Sequence, residues 1–475
     1  MEDTLTGNGS ADNVYTRGIA SFVSGLTYEA IPQEVRERVK LLVLDALGCG
    51  IYGSTKQHSR ILLNTMLRMD SSKDCGIWGG ASRLSAPHAA LVNGSMVQGF
   101  ELDDTHFFAT THVGCATVPP VMAIAEAQMP MNGSTFIKAA VAGYEIGPRV
   151  GICMGNEHLS QGWHAPATVA VFSAAAAAAA ALGLSEEKTV HAMGIAGTQS
   201  SGLMASQYGS MVKRMNAGRA AQSGLYSALL AREGYTGIVN VFESDYGGFC
   251  TTFSRSHDRF NLAELTSGLG THFETLRDSL KFYACAASNH TSLDAIRLMQ
   301  KKRTFSAPDV EKIVIRGSKL MHDHVGFKYR GTGMTEAQMN LPFCVATLLL
   351  EGDVFVDQFT DESIIDPARM ALTEKIDVRP DAEINAMGPK FRQYVRVEVH
   401  LRDGTVMEET AHTARGRESN FAPAADVVEK FKKLTAGVLS KDKVDGIVNT
   451  VLELEKLKDI RDLARLLAND SNQNG

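Results

Sequence analysis

The sequence predicts a mainly α protein with two unequal parts. One is an all-helical domain built from both chain ends, residues 1–266 with 413–475, and the other a smaller α+β domain, 267–412. Three observations lead there. Apolar residues recur at helical spacing almost without break from about Ala20 to Arg232. Alternation of the kind strands need is confined to the stretch between Val310 and Thr410. Helical spacing then returns from Ala424 to Leu467, so the end of the chain rejoins the first bundle. The 475 residues, 44% apolar and 21% charged, suffice for two globular domains and exclude wholesale disorder.

The elements follow in order. Pro32 stands at the head of QEVRERVKLLVLDALG, where Val35, Val39, Leu42, Val43 and Leu47 share a face and Gly48 marks the end. Ser134 to Met154 and Ser185 to Gly197 repeat the pattern of polar cap, helical period and closing glycine. Pro166 to Leu184 carries no charge and contains eight consecutive alanines, Ala174 to Ala181. Alanine adds little to membrane insertion but is the best helix former, so this stretch reads as a helix buried among others rather than a span. Small residues at Ala139–Gly143 and Ala217–Ala221 allow helices to cross closely. In the second domain, Val310 to Arg316 reads as a strand with Ile313 and Ile315 on one face. Tyr394 to Leu401, the turn Asp403-Gly404 and Thr405 to Thr410 read as a hairpin. Helices are expected between them at Thr335–Glu351 and Pro367–Lys375.

Charge and cysteine usage narrow the function. With 47 Lys+Arg against 53 Asp+Glu, the net charge is −6 and no basic stripe suggests nucleic acid. The seven cysteines form no CxxC pair, which fits reduced thiols in an intracellular, cytoplasmic protein. The N-terminal MEDTLTGNGSADN lacks the apolar core of a signal peptide, and the C-terminal NDSNQNG is a polar tail.

Four clusters carry the residues of chemistry. Glu101-Leu-Asp103-Asp104-Thr105-His106, with His112 six residues on, gathers carboxylates and imidazoles in an apolar stretch. Buried unpaired charge is costly, so this is either a solvated helix end or a site; as a metal site it lacks a second ligand motif. Gly162-Trp163-His164-Ala165-Pro166 places His164 ahead of the alanine-rich helix, as a satisfied core group or facing a cavity. Val212 to Arg219 sets Lys213, Arg214 and Arg219 among small residues, as an exposed edge or an anion site. Lys281-Phe-Tyr283-Ala-Cys285 is followed by His290 and by His322-Asp323-His324, a His-x-His expected on a strand. There is no phosphate loop, Rossmann fingerprint or G-x-S-x-G. What remains is acid/base histidines with carboxylate-binding cations, which points to cofactor-free chemistry on an anionic small molecule.

VNGSMVQGFELDDTH (Val92–His106), GWHAP (Gly162–Pro166), GSMVKRMNAGRAAQSG (Gly209–Gly224) and KFYAC (Lys281–Cys285) resemble the MmgE/PrpD family, which includes 2-methylcitrate dehydratase and cis-aconitate decarboxylase. ELDDTH, GLMASQYGSMVKR and GWH are most similar to the fungal decarboxylase branch. The resemblance implies a large helical domain from both chain ends, an α+β lid, and a homodimer. It implies a lyase on a citrate- or aconitate-like polycarboxylate. The scatter of the histidines predicts a metal-free enzyme, the lack of a basic stripe predicts no nucleic-acid partner, and the alanine-rich helix predicts no membrane partner. By position the resemblance assigns Glu101, Thr105, His112, His164, Lys213 and Lys281 to the site, and sets the family's lid tyrosine nearest His322, with His324 close by. Three departures bear on the substrate: Glu101 stands where animal decarboxylases carry Asp, Val113-Gly114 follows His112 where Pro-Ser is common, and a histidine replaces the tyrosine. The expected roles are His112 as general acid, Thr105 and the Glu101/Asp104 carboxylates orienting it or the substrate, and Lys213, Lys281 and His164 holding carboxylates. Arg214, Tyr283, His322 and His324 are expected to bind substrate. The leading reaction is cis-aconitate decarboxylation to itaconate. Dehydration of 2-methylcitrate or a longer alkylcitrate is the alternative, ahead of an epimerase, an isomerase or a non-catalytic homodimeric scaffold.

Overall fold

The computed structural model describes residues 13–469 apart from 129, 156, 389 and 390, with backbone only at 208. Residues 1–12 and 470–475 of the two polar termini, where no targeting segment is expected, lie outside those residues. Helix α1 (Val14–Gly25) precedes α2 (Gln33–Gly53), which starts after Pro32 and turns Val35, Val39, Leu42, Val43 and Leu47 into the core. It does not end at Gly48 as expected. Glycine here serves close approach: a Cβ at Gly48 would come 2.9 Å from the Phe431 ring, and one at Gly50 2.6 Å from Trp78.

The bundle continues with α3 (Ala86–Val97), α4 (Gly114–Ala127), α5 (Gly133–Met154), α6 (Ala170–Leu182), α7 (Glu186–Gly197) and α8 (Val212–Arg232). Asn132 rather than Ser134 caps α5, while Ser185 caps α7 as its sequence requires. The alanine run of α6 is buried and packs on both α5 and α8. Ala165–Leu182 is long and apolar enough to cross a membrane, yet it lies inside this bundle. The helices cross closely: a Cβ on Gly147 of α5 would sit 1.6 Å from Ser173 Oγ, and one on Gly224 of α8 2.3 Å from Ala174 Cβ.

Two short strands join distant parts of the chain. β1 (Thr105–His106) pairs antiparallel with β2 (Asp278–Ser279), Thr105 opposite Ser279 and His106 opposite Asp278. Beyond them come α9 (Ala287–Lys302), β3 (Val310–Gly317), α10 (Lys319–Val325), α11 (Met334–Met339), α12 (Leu341–Glu351), β4 (Ile376–Pro380), β5 (Val395–Leu401) and β6 (Val406–Ala411). The four longer strands form one sheet in the order β4-β3-β5-β6, with only the β3–β4 pair parallel. Alternate residues of β5 (Val395, Val397, Val399, Leu401) are buried, and α9 packs against β5 and β6. Gly404, at φ 86°, supplies the left-handed turn of the β5–β6 hairpin.

Two local readings are corrected. The helix expected over Thr335–Glu351 is two, broken at Asn340, whose side chain accepts from Phe343 N at 2.8 Å and caps α12. His322 and His324 lie not on a strand but on helix α10, which Ser318 caps. The chain closes with α13 (Ala424–Thr435), α14 (Lys441–Leu452) and α15 (Arg461–Leu467), and α13 packs on α2 with Lys430 ion-paired to Asp45. The seven cysteines are free and buried.

Candidate active site

The loop between α3 and α4 supplies the acidic cluster, and it is not a solvated helix end: Glu101, Asp103, Asp104 and His106 are all buried. Glu101 adopts φ 55°, ψ 31°, a left-handed conformation uncommon outside glycine, immediately after the 3-10 turn Gln98–Phe100. Its carboxylate meets Lys213 and Arg214 from the first turn of α8, with Arg214 Nη1 at 2.7 Å. Lys281 Nζ, placed by the segment following β2, lies 3.3 Å from Glu101 Oε2 and 3.2 Å from its carbonyl oxygen. All three cations are buried, so the exposed-edge reading of Lys213 and Arg214 gives way to an anion site. Three cations against one carboxylate leave excess positive charge where little water reaches, an arrangement chemically suited to a further anion.

The electrostatics follow from that crowding. Burial pushes the Glu101 carboxyl up, but Lys213, Lys281 and Arg214 together outweigh it and hold it well below the usual carboxylate range. Burial lowers the Lys213 ammonium to about 8 even though Glu101 opposes the shift.

Histidines flank the cations. His112 Nδ1 stands 3.0 Å from Asp103 Oδ2 and 3.4 Å from Thr105 Oγ1. His164 is buried, and Asn216 Nδ2 donates to its Nδ1 at 2.9 Å, which leaves the proton of the neutral ring on Nε2. Burial, then Lys213 and His112, hold His164 well below its usual pKa. His324 sits with its Nδ1 3.2 Å from Ser288 Oγ, and burial followed by Lys213 brings it down to about 4. At neutral pH both rings are uncharged hydrogen-bonding groups beside a cationic cluster.

Other expected residues are turned elsewhere. Both Asp104 oxygens accept from Gly114 N, at 3.1 and 2.9 Å, so Asp104 anchors the start of α4 and the carboxylate beside His112 is Asp103. His322 pairs with Asp323 at 3.1 Å on the exposed side of α10. The Tyr283 hydroxyl donates to Asp294 at 2.6 Å and lines a separate 570 Å³ cavity with Arg297 and Arg415. His106 is tied to Glu274 at 3.0 Å, and Arg219 to Gln222.

Sequence reasoning missed Asp103 as the partner of His112, and also Asn216, Ser288 and Gln338. Asn216 was findable, since it lies three residues after Lys213 on the same helix and so shares its face. Gln338 carried no local signal; it reaches Arg214 only through the docking of α11. Among the described residues, no three His, Cys, Asp or Glu side chains gather as a metal-holding group. A 780 Å³ cavity has His324 in its wall together with Phe327, Met334 and Met339 and the charged Asp323, Lys328, Arg330 and Glu336, and none of the cation-cluster residues lines it.

Comparison with known proteins finds matches along most of the chain. Residues 17–261 match the MmgE/PrpD N-terminal domain and residues 283–455 the MmgE/PrpD C-terminal domain. The chain is 33% identical to the cis-aconitate decarboxylase-like protein oryM of Aspergillus oryzae, over 98% of this chain and 100% of that protein. It is 30% identical to a cis-aconitate decarboxylase of Aspergillus terreus, covering 96% of each. It is 22% identical to the mitochondrial 2-methylcitrate dehydratase of Yarrowia lipolytica, over 94% of this chain and 89% of that one. With both domains matched in order around one buried cation cluster, the chain belongs to the MmgE/PrpD family.

Proposed function

We propose that this protein is a lyase that decarboxylates cis-aconitate to itaconate. The observation that carries the reading is the convergence of Lys213, Arg214 and Lys281 on Glu101 beside His112 and His164. The relatives named as cis-aconitate decarboxylases support it. In the reaction, the bond to the carboxylate of the allylic CH₂ breaks and its electron pair forms a new C=C. The old alkene pair moves onto the former CH carbon, which takes a proton, and CO₂ leaves. Negative charge develops on the retained carboxylate conjugated with that carbon; Lys213, Lys281 and the Nε2–H of His164 are its stabilisers. His112 delivers the proton and is recharged from solvent.

Nothing in that sequence of bonds calls for a metal or an organic cofactor, and elemental analysis with an assay in chelator checks this. The direct test incubates purified protein with cis-aconitate and follows itaconate and CO₂. Absence of both sinks the decarboxylase reading. The reading includes a homodimer, which light scattering of the purified protein measures.

A second reading is dehydration of 2-methylcitrate or a longer alkylcitrate, which the relative named as a 2-methylcitrate dehydratase supports. One histidine removes the proton α to a carboxylate while another protonates the departing hydroxyl. Alkylcitrates of graded chain length, followed by absorbance of the new conjugated alkene, decide it. No absorbance change with any of them removes it.

A further inference from the structure

Asp103 is fully buried, at 0% exposure, and neither of its carboxylate oxygens makes an aligned hydrogen bond. Leaving a buried carboxylate without a donor is costly, so such a group calls for an explanation. Its charged surroundings do not supply one. Lys430, the nearby cation, is committed to Asp45 and to the Leu102 carbonyl, and Asp104 is committed to Gly114 N. Among the described residues, the group poised to satisfy Asp103 is His112, whose Nδ1 lies 3.0 Å from Oδ2. Thr105 Oγ1, at 3.4 Å, is the weaker competitor for the same nitrogen, because a charged acceptor holds an N–H more strongly than a hydroxyl does. The N–H and the carboxylate are close but out of line, and catalytic hydrogen bonds of this kind tighten as the reacting complex forms.

We propose that Asp103 is the positioning residue of His112: it accepts a hydrogen bond from Nδ1–H, sets the ring's tautomer and orientation, and leaves Nε2 to face the reacting carbon. The inference rests on the reading of His112 as proton donor. It moves the orienting role from Asp104 to its neighbour, and leaves Thr105 free to hold substrate. The tautomer matters because proton delivery from Nε2 requires that Nδ1 keep its own proton throughout the turnover.

The test uses the full-length protein with ring-¹⁵N histidine, the His112 signals being assigned by their loss in His112→Gln. At a pH where the ring is neutral, the expected spectrum shows Nδ1 protonated and Nε2 bare. A proton found on Nε2 overturns the proposal. Asp103→Asn can turn its amide NH₂ toward the ring and favour the other tautomer. Its kcat, on whichever of cis-aconitate or an alkylcitrate is turned over, is expected to fall by about 100-fold or more while KM moves by less than about threefold. Wild-type kcat in that variant also overturns the proposal. Should Asp103→Asn not fold, Thr105→Val decides: the Nδ1–H signal persists if Asp103 holds it and is lost if Thr105 does. Full turnover by His112→Ala would remove the proton-donor reading instead, and the ring spectrum would still judge the grip of Asp103.

Discussion

Gln338 Oε1 accepts from Arg214 Nη2 at 3.2 Å, while its own amide nitrogen donates to the carbonyls of Phe100 and Ala284, each at 3.1 Å. A single buried side chain on α11 thus ties three pieces together: the arginine of the anion site, the turn before Glu101 and the segment that carries Lys281. Gln338→Leu keeps the size but leaves the arginine and two carbonyls unmatched, at about 1–3 kcal/mol for each group left buried and unsatisfied. The expected kinetic signature is a KM raised roughly tenfold with a smaller change in kcat, if the arginine holds substrate, as the sequence leads one to expect, rather than moving a proton. An unchanged KM in a folded variant would show that Arg214 is held without it.

Lys213 predicts an alkaline limb. Its ammonium, lowered to about 8 by burial against the pull of Glu101, carries charge below that pH and loses it above. Binding of a polycarboxylate should therefore weaken as pH rises through about 8, seen as a fall in kcat/KM, which reports the free enzyme. Lys213→Arg stays charged, so its residual activity should show no such limb. A limb identical in the two proteins would assign it to another group.

Glu101→Gln leaves Lys213, Arg214 and Lys281 buried without their shared counter-charge. Removing one partner of a buried ion pair costs about 3–5 kcal/mol, so a lower Tm is expected. Because the Glu101 carboxyl is held well below its usual range, its contribution is present above the ordinary carboxylate pKa and fades as pH falls through the lowered one. The variant should accordingly lose less stability on acidification than the wild type. A tricarboxylate, entering the cluster as the missing anion, should raise its Tm by more than it raises the wild type's. Equal shifts in differential scanning calorimetry would place the ligand elsewhere.

Asp278 predicts the opposite sign. Burial, then the Asp104 carboxylate beside it, push its carboxyl well above the usual range. A raised folded-state pKa contributes stability below the unfolded value, and that contribution is lost as pH rises. Asp278→Asn mimics the protonated acid at every pH, so its Tm should exceed the wild type's by a few degrees near neutral pH and converge with it in acid. A variant less stable than wild type at neutral pH would mean that the Asp278 charge is used.

The helices and the hairpin were legible because their signals are local. The apolar face of α2, the Ser185 cap and the Asp403-Gly404 turn each lie within a few residues of what they determine. The α2 terminus was misread because glycine has two uses: Gly48 looks like a stop, but its role is the close contact with Phe431 from the far end of the chain. The cation cluster was visible as composition and as family resemblance, since Lys213 and Arg214 are adjacent and Lys281 stands in a motif. Which carboxylate each would meet was not, because the β1–β2 pairing and the docking of α11 set those contacts across long separations. Asp103 and Asp104 are neighbours of one type in sequence, and only the backbone path of the loop sends one to His112 and the other to Gly114.

The alanine run of α6 also acts as a spacer. The Ala177 methyl meets Gly143 on one neighbour and the Ala174 methyl meets Gly224 on the other, so they set how far α8 stands from α5. Helix α8 is the one that presents Lys213, Arg214 and Asn216. Alanine has no side-chain rotamers to lose, so this separation is maintained with almost no ordering entropy beyond that of the backbone. It also has little slack on the α8 side, because Ala174 already packs directly against Gly224 and a branched side chain there would press on that helix. Such a change would be absorbed as a shift of the whole of α8, moving all three groups relative to His112 although the altered residue touches none of them.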